Sequence, residues 1–166
     1  MGRGGGVAES RALRKMPRAE AMRLVASVRV GRVVFTQRAL PAIRPVNHVV
    51  LDGLVVFGTH RDSAVATQTA GAPTVVAYEV DQIDEEQRSG WSVVVTGLAV
   101  RVEAGERADR YHGRLRPWVG VADHLIAVTP RLVTGFRLVP RTAGASGLRR
   151  VMIGTTVEGT PDRAEE

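Results

Sequence analysis

The sequence predicts a mainly β domain: a closed, mostly antiparallel barrel with two or three flanking helices. Short runs rich in Val, Ile, Thr and Phe outnumber stretches with helical spacing. Most neighbouring runs are joined by short links. Asp52-Gly53, set between two such runs, is a strong two-residue hairpin signal, because both central positions accept positive φ.

Taken in order, residues 1–15 are rich in glycine and arginine and read as a mobile tail. A barrel domain over 16–140 follows, then a loosely held C-terminal tail over 141–166. Pro17 suits a first helical turn, and Ala21, Met22, Val25 and Val28 recur at helical spacing. A helix is expected over 17–29, ended by Gly31. Strands are expected over 33–36, 42–51 and 54–57. Asp62 or Ser63 can cap a short helix running to Ala70, which Gly71 stops. The β-branched run 74–80 reads as a buried strand, and the acidic stretch 81–88 as an exposed connection. The longest strand is 91–103, with Gly97 as a bulge or kink. A helix over 106–116 and strands over 124–128 and 133–139 complete the domain, and 148–153 can add a short strand.

Composition limits the functions available. A chain of 166 residues, 44% hydrophobic, suits one domain with a sizeable core. No apolar run approaches the roughly 20 residues of a membrane span, and the first residues lack a secretory apolar segment. The absence of cysteine excludes disulfides, thiolate zinc sites and thiol catalysis, and fits a cytoplasmic protein. The net charge of +6 invites a nucleic-acid reading. Lys15 is the only lysine, however, and the arginines are dispersed, so the bias looks like that of a GC-rich genome. A nucleic-acid partner held by both tails is the weakest reading.

Motifs for catalysis are scarce. His48, His60, His112 and His124 form no metal-binding pattern, and no G-x-S-x-G, G-x-G-x-x-G or Walker sequence occurs. The run Asp81, Asp84, Glu85, Glu86 reads as a solvated loop. His48 can be a satisfied wall residue of its strand. What remains is the rim after the 54–57 strand. There Thr59, His60, Arg61 and Ser63 offer donors, Arg44 lies a strand away, and a helix start follows. These residues make either an anion site or a polar turn with its N-cap.

Several motifs in this order resemble the pyridoxamine 5′-phosphate oxidase-like family, the FMN-binding split β-barrels. They are V-G-R-V-V-F, then P-x-x-R-P-V-N-H, F-x-T-x-x-x-S, V-A-Y-E-V-D and G-W-S-V-V-V-T-G. The likeness covers about 18–140. It implies a split barrel, a homodimer with flavin sites at the subunit interface, and a small-molecule substrate. By that resemblance Arg44, Pro45, Val46, Asn47 and His48 contact the flavin, and Asn47 and His48 line its ring. Thr59 and Ser63 meet its phosphate, with His60 and Arg61 on the same rim, and Trp91 and Ser92 lie near the ring system. Family members usually carry a lysine, often beside an arginine, just after the Ser63 position; here Ala64 and Val65 stand there, and Ser92 stands where the oxidases carry glutamine. FMN is therefore expected, with a deazaflavin or no cofactor as alternatives. The implied activity is a flavin- or deazaflavin-dependent oxidoreductase. The competing reading is a non-catalytic binder of flavin, haem or another planar ligand. No catalytic residue is assigned.

Overall fold

The computed structural model describes residues 11–115 and 122–140. Its elements run β1 (Arg11–Lys15), α1 (Arg18–Ser27), β2 (Val30–Gln37), β3 (Leu40–Leu51), β4 (Leu54–Thr59), α2 (Ala64–Thr69), β5 (Thr74–Asp84), β6 (Ser89–Arg101), α3 (Glu106–Arg114) and β7 (His124–Pro140). Every strand pairing is antiparallel. The order is β1-β7-β4-β3-β2-β5-β6, and β6 pairs back onto β7. Strands β2 to β7 thus close on themselves as a split β-barrel, and β1 is a spur beside the end of β7.

Local chemistry explains most elements. Asp52 and Gly53 take φ of 55° and 76°, the left-handed pair a tight hairpin needs. Arg38 and Ala39 do the same at φ 52° and 63°, with no Asn-Gly-type signal to announce them. Their turn is held by pairing from Val30↔Asn47 to Gln37↔Leu40. Gly97 sits at a register shift between β6 and β7, as expected for a bulge. A Cβ there would collide with the Thr129 carbonyl.

Four expectations need correction. Residues 11–15 are not tail: β1 pairs Arg11↔Pro140 through Lys15↔Phe136. Its partner lies far along the chain, so the local sequence could not announce it. Arg14 further pins it, 3.0 Å from Glu20, which Arg137 approaches at 3.5 Å. The hydrogen bond from Arg14 is the main cause holding the Glu20 carboxyl below its usual range. Secondly, Gly31 does not end α1, which stops at Ser27, with the Ser27 hydroxyl donating to the Leu24 carbonyl at 2.7 Å. Gly31 lies inside β2, where a Cβ would come within 2.6 Å of the Tyr78 ring. Thirdly, the front of the 81–88 stretch continues β5, and Asp81 pairs with Arg32 at 2.9 Å. Finally, the two expected C-terminal strands are one. Pro130, which has no N–H to offer, lies opposite the Gly97 irregularity and so interrupts nothing. The expected tail over 141–166, with its strand at 148–153, lies outside the described residues, as do residues 1–10.

Two apolar clusters hold the fold. One fills the barrel with Val33, Phe57, Tyr78, Val93 and Ile126, closed by Ala21 and Val25 of α1. The other sits under α3, where Tyr111, Ala108 and Leu115 cover Val56, Leu125 and Ala127. Strand β4 is thereby covered on both faces, which is why it reads as an unbroken apolar run. Strand β6 alternates, with its outward face only partly covered.

Candidate cofactor cleft

The cleft follows from how β3 is paired. Only its last four positions pair with β4, from His48↔Phe57 to Leu51↔Leu54. Upstream, Arg44 to Asn47 pair with β2 alone. Past Phe57, β4 runs on beside β7, as Gly58↔Leu125 and Thr59↔His124. The gap between the two diverging strands is a cleft of about 650 Å³, within the roughly 300–1,000 Å³ of small-molecule sites.

Arg44, Pro45, Val46 and Asn47 form one wall, and Thr59, His60 and Ser63 the opposite rim. Val30 and Phe35 of β2 and Val65 of α2 add apolar surface. Sequence reading missed the β2 contribution, in which Phe35 belongs to the buried face of the strand and Val30 to the other face. Gly58 was a missed signal as well. A Cβ there would lie 2.6 Å from the Ala122 Cβ and 3.3 Å from Leu115, so glycine lets the chain after α3 approach the cleft closely.

The polar groups have defined partners. Ser63 is the N-cap of α2, as expected, its Oγ accepting from the Ala66 N–H at 3.2 Å. The same oxygen accepts from the Thr59 hydroxyl at 2.8 Å. Arg44 is exposed and donates one bond, to its neighbour's carbonyl at Ile43, at 2.7 Å. The Asn47 amide donates to the Arg29 carbonyl at 3.4 Å. His60 Nδ1 lies 3.7 Å from Asp123, and the Arg61 N–H donates to the same carboxylate at 3.4 Å.

Four residues expected at the cofactor do not line this cleft within one chain. His48 turns into the core. Its Nε2 lies 2.8 Å from the Val25 carbonyl, and its ring meets Tyr78 edge-on at 5.2 Å between centroids. It is a wall residue whose Nε2 alone is satisfied, tying β3 to the end of α1. Burial pushes its pKa below the ordinary value, partly offset by the bond to Val25. His48 Nδ1 and the Tyr78 hydroxyl are buried with no partner among the described residues, and burial, with the Glu79 charge, raises the Tyr78 phenol. Trp91 and Ser92 lie in a separate apolar hollow of about 370 Å³, beside Leu13, Ile83 and Phe136. Within one chain they do not join the cleft, because β6 presents them at the β1 end of the sheet. Arg61 touches the rim through its backbone and does not line the cleft.

Among the described residues no group of three His, Cys, Asp or Glu could hold a metal ion. None of their helices is long and apolar enough to cross a membrane.

A pyridoxamine 5′-phosphate oxidase family model matches residues 17–137, which takes in nearly all of the closed barrel and the cleft. The chain belongs to the pyridoxamine 5′-phosphate oxidase-like family. Within it, an uncharacterized protein of Mycobacterium tuberculosis is 53% identical over 129 residues, 75% of this chain and 85% of that protein. The FAD binding protein from Mycobacterium smegmatis is 29% identical, with a TM-score of 0.59 over 76% of this chain and 98% of its own. The heme binding protein from Mycobacterium smegmatis shares the fold at 15% identity and a TM-score of 0.59, over 75% of this chain and 59% of its own.

Proposed function

We propose that this family member binds a flavin or deazaflavin in the cleft and uses it as an oxidoreductase on a small organic substrate. The observation that carries this is the cleft itself: one exposed guanidinium, Arg44, at the edge of an apolar floor built from Val30, Phe35, Val46 and Val65. That composition fits a flat ring with an anionic tail. The likeness to an FAD binding protein points the same way. A bound flavin supplies hydride chemistry. The chain's own residues do the rest. Arg44 neutralises the anion, Ser63 donates its hydroxyl proton, Asn47 offers an amide beside the ring, and the apolar floor excludes water.

The reading includes a homodimer. Ile43, Val75 and Leu132 are exposed at 51%, 68% and 59% on β3, β5 and β7, every second strand around that part of the sheet. A second subunit covering such a band would bring Trp91 and Ser92 of its own β6 within reach of a cleft they do not meet in a single chain. The test is the absorption spectrum of freshly purified protein, followed by titration with FMN, FAD and a deazaflavin. Saturable binding is expected, and a colourless protein indifferent to all three ends the proposal.

The second reading, a planar-ligand binder without turnover, is favoured by one observation: Ala64 and Val65 make an apolar wall beside Ser63. Steady-state reduction of an electron acceptor by the loaded protein decides against it.

A further inference from the structure

We propose that a small recess beside the cofactor cleft, at the margin of β3, binds a short dicarboxylate. This site is independent of the flavin reading. Strand β2 begins at Val30, opposite Asn47, so β3 runs on from His48 to Leu51 with β4 alone as strand partner. His48 gives its N–H to the Arg29 carbonyl, at 2.9 Å. Along a strand, every second N–H faces the same side, so the Val50 N–H points to the side on which β2 provides no partner. The space there is about 250 Å³, walled by Val28, Arg29, Asn47, His48, Val50 and Arg114. Asn47 also lines the cofactor cleft, which makes the two spaces neighbours along β3.

The fixed charges around the recess have one sign. Arg29 and Arg114 stand in its wall, and no carboxylate joins them among the described residues. Both are exposed, and neither guanidinium forms a hydrogen bond or ion pair with a described residue. Other arginines face carboxylates: Arg32 lies 2.9 Å from Glu79 and from Asp81, and Arg110 lies 2.7 Å from Asp52. The Asn47 amide already donates to the Arg29 carbonyl, at 3.4 Å. His48 is bound through Nε2 to the Val25 carbonyl, and burial favours its neutral form, so it adds no charge. The Val50 carbonyl, on the same side as its N–H, is left to water. A guanidinium presents a planar fork that matches a carboxylate bidentately, so two forks suit two carboxylates. The Val50 N–H is a third donor. The volume falls below the roughly 300–1,000 Å³ of drug-sized ligand sites, so a short aliphatic chain fits and a flavin ring does not.

Calorimetric titration of the whole protein with succinate, propionate and inorganic phosphate tests this. Saturable succinate binding is expected, about tenfold or more tighter than that of propionate. Arg29→Gln and Arg114→Gln should each weaken succinate about tenfold or more. Arg44→Gln, in the cofactor cleft, should leave succinate binding unchanged. A measurement on the unsubstituted protein locates the ligand directly: saturating succinate should shift the Val50 amide resonance. Absence of saturable succinate binding, or an unmoved Val50 amide, overturns the inference. Phosphate or propionate binding as tightly as succinate overturns the dicarboxylate assignment. Loss of binding in Arg44→Gln, with Arg29→Gln and Arg114→Gln unaffected, places the anion in the cofactor cleft and overturns it as well. Titration with flavins is read by ring absorption, so its failure and the failure of this site are separate results.

Discussion

Strand β3 is two strands laid end to end, and they do opposite jobs. From His48 to Leu51 it pairs with β4, and His48 is buried in the core. From Leu40 to Asn47 it leans on β2 alone and stands largely exposed. The first half is stability, bought with packing; the second is a surface with donors and one charge. The boundary falls where β4 leaves β3, between Asn47 and His48. Neighbouring residues therefore respond to mutation in unrelated ways.

The largest effect should come from the packed side of that boundary. Phe57→Ala, opposite His48 and fully buried against Tyr78, should cost about 3–5 kcal/mol, read as a drop in urea midpoint. On the open side, Arg44→Ala should leave stability within about 0.5 kcal/mol. It should nonetheless weaken an anionic flavin about tenfold or more, while riboflavin is unaffected. If Arg44→Ala unfolds the protein, or spares the anionic ligand, the division is misplaced. A smaller change is expected at the hairpin that joins β3 to β4. Gly53 has φ of 76° and nothing near its absent Cβ, so Gly53→Ala isolates the backbone cost, about 1 kcal/mol in the same denaturation assay.

The smallest effect at neutral pH concerns His48, whose folded pKa lies below its unfolded value of about 6.5. The unfolded chain then binds the proton more readily. The stability due to neutral His48 is therefore complete above about pH 6.5 and is lost as pH falls toward the lowered folded value. Urea midpoints at pH 7.5 and 5.5 should show that loss, and His48→Gln should flatten it. A wild-type midpoint independent of pH would mean that His48 is not held neutral by burial.

Legibility followed the range of the interaction. The Asp52-Gly53 turn, the Ser63 cap and the Gly97 bulge were readable because a few adjacent residues determine each of them. The wall from Arg44 to Asn47 and the rim at Thr59, His60 and Ser63 were legible as a set, since one hairpin fixes their spacing. The spur β1 was not, because its partner among the described residues is the far end of β7. Nor was the direction of His48. Strand alternation gives it a face, but the acceptor that draws it inward is Val25 on a helix earlier in the chain. Trp91 and Ser92 were grouped with the cleft by resemblance alone, and a single subunit holds them apart.

Among the described residues strand β1 ends the sheet, so its outer rim presents backbone groups there. Three of its five residues, Arg11, Arg14 and Lys15, carry like charges, which repel an identical rim on another molecule. Without this short guard the apolar terminus of β7, around Phe136 and Leu138, would offer itself as a template for sticky end-on growth. A charged edge of this kind disfavours edge-to-edge pairing between molecules, a duty quite apart from anything that happens at the opposite side of the barrel.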